Sequence, residues 1–339
     1  MNTQPVHHDV VHLVAAPNAT PGGCSPGRTI PTVLCAQAIK HKLTPPGHVM
    51  LIGENSCESQ ARLLGLDWHS RLAPPLGNPT MLRRRIKRLT QNTSRVICWN
   101  DELAVLLKGN PAELDLISTS PTNAPAYVSK RITIRVFEQI DCDYWTDRGN
   151  NPTLDALLPP ILDNLAQTNR SITRASVDID DNTICIGVLA DRPSDVDARE
   201  LTFLLGLLNA SGYTLTGVIP NTANHLAAAR RHHRGLGSRF QFLIATDPIT
   251  SLLPIFDALI HPCFDGSGSS MLIERMCENA EVPVLRLKHS GRAGLSRAPG
   301  VAGPIIEHLD ELIQSSKSSH PEPTHAQQLK NFHPLRLPR

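Results

Sequence analysis

Aromatic residues are scarce: Phe, Tyr and Trp together make up 4% of the 339 residues. Any core must therefore be built from Leu, Ile, Val and Ala. No charge sign dominates either. Lys and Arg number 33 against 31 Asp and Glu, a formal charge of +2, so no nucleic-acid partner is expected. No apolar run reaches the roughly 20 residues of a membrane span. No Lys or Arg precedes the short apolar stretch VVHLVAA near the N-terminus, so no secretory signal is expected. The eight cysteines form no Cys-x-x-Cys pair and lie scattered, most of them in apolar runs. That usage fits reduced, buried thiols in a cytoplasmic protein and argues against a disulfide frame or a zinc site. No internal repeat is evident.

What is present is ordinary globular material, 40% hydrophobic and 19% charged, in a chain long enough for two domains. The C-terminal half alternates regularly. Strand-like runs at 182–190, 213–220, 239–246, 257–263 and 282–288 are separated by helical patterns at 195–212, 221–237 and 247–257 and by the loop and helix of 261–276, and a helix at 302–316 closes the series. Leu201, Leu204, Leu205 and Leu208 show the helical spacing, and Gly212 supplies a stop. The strands are continuous apolar runs, the mark of a parallel sheet buried on both faces.

The N-terminal half is similar but less regular. Strands are predicted at 9–17, 48–55, 94–99, 114–120 and 130–140, with helices at 29–43, 81–89 and 100–109. DYWTDRGNNPT (143–153) reads as irregular, LDALLPPILDNLAQT (154–168) as an interrupted helix, and NRSITRASVDIDD (169–181) as the linker. The expected organisation is a tail at 1–8, an N-terminal Rossmann-like domain at 9–175, a C-terminal one at 176–316 and a mobile tail at 317–339. A monomer is expected.

The stretch HPCFDGSGSSMLIERM (261–276) carries the most chemistry. A strand enters a Gly-Ser loop, and the loop enters a helix with an acid inside it. Ligands in open α/β sheets bind beyond the carboxyl ends of the strands. Gly266, Ser267, Gly268, Ser269 and Ser270 can bring backbone amides and hydroxyls to one anion, reinforced by the helix dipole. Glu274 can accept hydrogen bonds from the paired hydroxyls of a ribose. A Gly-Ser loop also serves simply as a turn with a serine cap, so the motif alone is weak.

The order of several weak motifs adds to it. Asp257, Pro262, Gly266, Gly268, Glu274, Met276 and Pro283-Val284 fall in the sequence seen in group-1 glycosyltransferases of the GT-B type, and the chain resembles that family over about 9–315. VVHLVAAPNATPGGCSPG and the later GHVMLIG resemble its opening strand, double-glycine loop and second strand. The resemblance implies two Rossmann-like α/β domains facing each other across a cleft. It also implies a nucleotide-sugar donor, an unknown acceptor, and metal-independent transfer with no further cofactor. On this basis Arg192 would neutralise the diphosphate, Asp265 and the 266–270 loop would face the phosphates or sugar, and Glu274 would orient the nucleotide. Gly22 and Gly23 would line the acceptor side.

The chain also departs from the family pattern. Gly266 stands where a first glutamate is usual, with Asp265 one place away. VLADRPSDVDARE offers Arg192 and Arg199 but no lysine, and Thr119 or Ser120 replaces a frequent histidine. These departures point to altered specificity or to a catalytically inactive member that binds a nucleotide, glycan or protein partner. A sugar-nucleotide epimerase of the same fold is a further alternative. Asp-x-Asp pairs at 141/143, 178/180 and 195/197 are too cheap a pattern to assign a metal, and Asp195 and Asp197 read as helix-cap acids. The basic helix MLRRRIKRL concentrates Arg83, Arg84, Arg85, Lys87 and Arg88. It reads as a solvated cationic face or as a peripheral contact with an anionic membrane.

Overall fold

The computed structural model describes residues 9–16, 28–53, 58–73, 79–124, 131–154, 174–180, 183–191, 196–210, 212–221, 223–235, 240–245, 249–262, 267–288, 311 and 335–336. The chain divides into two compact units. One comprises Met1–Leu162 with Gly266–Leu272, the other Asp163–Asp265 with Ile273–Arg339.

The first unit is built on a wholly parallel seven-stranded sheet. Its strands are β1 (Val10–Ala15), β2 (His48–Ile52), β3 (Ser70–Leu72), β4 (Arg95–Cys98), β5 (Glu113–Ile117), β6 (Ile132–Val136) and β7 (Thr153–Leu154). They lie in the order 3-2-1-4-5-6-7. Every residue of β1 and β2 is buried, as a strand covered on both faces requires. The helices are α1 (Thr29–Lys40), α2 (Glu58–Leu63), α3 (Pro79–Leu89) and α4 (Gln139–Asp147). Leu82 and Ile86 of α3 join Leu13, Met50 and Leu103 in the core. Gly47, just before β2, is required by a close approach: a Cβ there would meet the Val10 carbonyl oxygen at 2.5 Å.

The second unit repeats the plan with β8 (Ile184–Val188), β9 (Leu215–Pro220), β10 (Gln241–Ala245), β11 (Ala258–His261), β12 (Val284–Lys288) and β13 (Leu335–Arg336), in the order 10-9-8-11-12-13 and all parallel. The helices are α5 (Ala198–Ala210), α6 (Leu226–Gly235) and α7 (Gly268–Asn279), the last counted with the first unit as far as Leu272. Leu201, Leu204, Leu205 and Leu208, the stripe read from the sequence, are all buried in its core. Both sheets therefore have the Rossmann strand order, which reverses between the first strand and the fourth.

Three local expectations are corrected. Residues 143–147, expected to be irregular, and 139–140, expected to end a strand, lie in α4: Trp145 is buried and its Nε1–H donates to Ser118 Oγ at 2.9 Å, an anchor that lies outside local periodicity. Residues 101–107 form a 3-10 turn, not an α-helix, with Leu103 N donating to Asn100 O at 3.1 Å. Residues 249–255 are likewise 3-10, with Pro254 inside the turn. The helix expected at 154–168 lies outside the described residues except for Leu154, which ends β7. The closing helix at 302–316 also lies outside them, apart from Glu311, which is helical.

Candidate functional site

In a doubly wound sheet the crevice for ligands opens at the switch point, beyond the carboxyl ends of the two strands where the order reverses. In the second unit these strands are β8 and β11. In the chain, Arg192 follows β8 and the Gly-Ser segment follows β11. Arg192, Asp265, Gly266, Gly22 and Gly23 themselves lie outside the described residues.

Ser267, Ser269 and Ser270 are buried, and Gly268 opens α7. The first amides of a helix have no partner inside it and suit an anion. Here the Gly268 amide donates to Asp141 Oδ2 at 2.8 Å and the Ser269 amide to the Thr119 carbonyl at 2.6 Å, all within the first unit. Met271 N donates to Ser267 O at 3.0 Å and closes the first turn. A Cβ on Gly268 would stand 2.7 Å from Asp141 Oδ2. Glycine is thus required for the carboxylate to reach the helix end.

Further along α7, Glu274 is only 3% exposed and forms an ion pair with Nε of Arg286 on β12. Burial pushes its carboxyl up to about 7 against the opposing pull of Arg286. Glu274 therefore changes charge near neutrality.

The first unit has its own switch point between β1 and β4, and a buried polar cluster lies beside the ends of these strands. Asn100, just past β4, accepts from the Ala15 amide at 2.8 Å through Oδ1. Arg28, 1% exposed at the start of α1, donates to Asp101 Oδ2 at 2.8 Å and to Thr119 Oγ1 at 3.3 Å. Its Nε lies 3.5 Å from Glu102 Oε2. Asp101 Oδ2 also accepts the amides of Thr119 (3.1 Å) and Ser120 (3.0 Å). Burial pushes the Glu102 carboxyl upward while Arg28 pulls it down. Thr119 and Ser120 thus hold a carboxylate by their backbones.

Arg28, Asp101, Glu102, Asp141 and Arg286 were not singled out from the sequence for these roles. The signals were faint: Arg28 directly follows a glycine-proline loop, and Asn100-Asp101-Glu102 directly follows an apolar strand. Asp197 behaves as read, accepting the Arg199 amide at 2.9 Å at the start of α5. Arg199 is committed to the same carboxylate at 2.8 Å. The described cysteines are free thiols, and Cys35, Cys98, Cys185 and Cys277 are buried.

No family model matches the chain, and no curated protein matches it. Solved structures do. The UDP-GlcNAc 2-epimerase from Neisseria meningitidis bound to UDP-GlcNAc aligns with a TM-score of 0.59 at 11% identity, over 96% of this chain and 94% of that one. A glycosyltransferase from Rickettsia africae aligns at 0.55 and 12%, over 95% and 90%. Anabaena HepE in complex with UDP-glucose aligns at 0.54 and 12%, over 96% and 98%. The chain has the GT-B fold. The likeness runs through both Rossmann-like units, and at these identities it extends to fold alone.

Proposed function

We propose that this GT-B protein binds the diphosphate of a nucleotide sugar at the N-terminal end of α7 and transfers the sugar to an acceptor without needing a metal. The observation that carries this reading is the Gly268 amide, which already holds an anionic oxygen, that of Asp141. A diphosphate oxygen presents the same chemistry to the same donor. In this reading Asp265 and Gly266–Ser270 cradle the diphosphate and Glu274 orients the nucleotide ribose. Arg192, from the segment after β8, neutralises the leaving group. Removing one such transition-state contact typically costs about 10²–10³ in rate. Gly22 and Gly23 belong to the acceptor side. Uridine sugars are the first donors to try, because the UDP-GlcNAc and UDP-glucose complexes share this fold.

A specific observation favours a second reading, that of a binding-only protein. Asp141 occupies the helix amide and Arg286 occupies Glu274, so both donor-side groups have internal partners. The readings separate when the full chain is incubated with UDP-glucose, UDP-GlcNAc and the matched guanosine and adenosine sugars. Released nucleoside diphosphate and the sugar product are then analysed. Transfer or slow hydrolysis, lost in Glu274→Ala, supports the first reading. Binding without release supports the second. Conversion of the sugar to its epimer with the nucleotide still attached overturns both in favour of epimerisation.

A further inference from the structure

The function above leaves unused the most basic segment of the chain. Helix α3 carries five cations, Arg83, Arg84, Arg85, Lys87 and Arg88, and no acid. Leu82 and Ile86, spaced i and i+4, are buried and fix the face turned to the sheet. Arg83 and Lys87 have the same spacing one position on, along one flank. There they meet Lys108, which caps the 3-10 turn Asp101–Leu107. Arg83, Arg84, Lys87 and Lys108 line a cavity of about 260 Å³. Every described lining residue is a cation.

Arg83, Arg84 and Lys87 repel one another, and an acidic neighbour normally relieves this. Among the described residues no carboxylate pairs with Arg83, Arg84 or Lys87. Asp101 and Glu102, which open the turn that ends at Lys108, are buried and turned to Arg28. Arg85, by contrast, lies outside the cavity and reaches the Ala73 carbonyl at 3.4 Å.

We infer that the cavity between α3 and Lys108 is a binding site for a phosphate-bearing group, of the class of a diphosphate or a cluster of phosphates. Guanidinium groups grip phosphate oxygens through paired N–H donors, and lysines add point charge. A single carboxylate ligand would leave most of the charge uncompensated, whereas a diphosphate brings several negative charges into a volume of this size. The two sources of this chemistry are a free diphosphate and the head groups of an anionic bilayer. The site shares no residue with the switch points of either sheet, so it stands whether or not the protein transfers sugar.

The test uses the full chain and two probes, inorganic pyrophosphate by calorimetry and phosphatidylglycerol vesicles by co-sedimentation, with phosphatidylcholine vesicles as the neutral comparison. The expected result is saturable binding of one probe, weakened at least tenfold in Arg83→Gln/Lys87→Gln and also weakened in Lys108→Gln. The unfolding midpoint should be preserved. A matched loss of charge outside the cavity, Arg230→Gln/Arg231→Gln on α6, leaves binding unchanged. Pyrophosphate binding assigns the free ligand; vesicle binding alone assigns the membrane. Binding of neither probe overturns the inference. So does binding reduced equally by the α6 substitutions, since that is diffuse attraction rather than a site.

Discussion

The amide of Gly268 and the carboxylate of Asp141 meet at 2.8 Å although the residues lie 127 positions apart. This contact ties the first turn of α7 to the first turn of α4. A Cβ at 268 would collide with the carboxylate, so Gly268→Ala breaks the bond and leaves buried polar groups unpaired. The expected loss is about 1–3 kcal/mol, set against a gain of up to about 1 kcal/mol from replacing helical glycine. Asp141→Ala removes the same bond from the other side. In urea unfolding the double variant should lose less than the sum of the single losses, the signature of direct coupling.

Arg28 is the sole cation found paired with Asp101 and Glu102 among the described residues, and its removal strands two buried acids. Breaking a buried pair by deleting one partner costs about 3–5 kcal/mol. Arg28→Met should therefore lower the unfolding midpoint sharply. Arg28→Lys should recover little, because one ammonium cannot reproduce a fork that reaches Asp101, Glu102 and Thr119 together.

Glu274 makes stability depend on pH in a defined direction. Its folded-state value, about 7, lies above the ordinary carboxyl range. The folded state therefore holds a proton that the unfolded chain has released, and stability falls as pH rises from about 4.5 toward 7. In Glu274→Gln this fall is absent. Thermal unfolding of both proteins between pH 5 and 8 should show the wild type losing ground to the variant as pH rises.

His12 acts in the opposite sense. Its Nε2 faces the Pro45 carbonyl at 3.0 Å, so it must carry the hydrogen, and its Nδ1 accepts from Trp99 Nε1 at 3.2 Å. Protonation would set two N–H groups against each other. Burial lowers its pKa, so the unfolded chain binds this proton first. Stability then falls as pH drops below about 6.5. A His12→Gln variant should start less stable but show a shallower acid slope over pH 7 to 5.

The fold was legible because its strands are buried on both faces. VVHLVA, ICIGV and LTGVIP are apolar but for His12 and Thr216, and each forms a fully buried strand. The α5 stripe was legible because four leucines keep helical period. Elements stabilised from elsewhere were not. QIDCDYWTD has no apolar face of its own and becomes α4 through Trp145 and Ser118. ESQARL and SRL are too short to show a period, yet form α2 and β3. The same divide runs through the site. The Gly-Ser turn and Glu274 were visible as a local motif, whereas Asp141 and Arg286 reach them only through the tertiary fold.

The most direct measurement is thermal unfolding of the full chain against uridine, guanosine, adenosine and thymidine diphosphates and their sugar conjugates, with Glu274→Ala beside it. A ligand specific to the folded state, present at 100 times its dissociation constant, stabilises by about 2.7 kcal/mol. The account predicts a rise in midpoint with one base, largely abolished in the variant. No rise with any of the ligands, or a rise that Glu274→Ala leaves intact, would contradict a nucleotide-sugar site on α7.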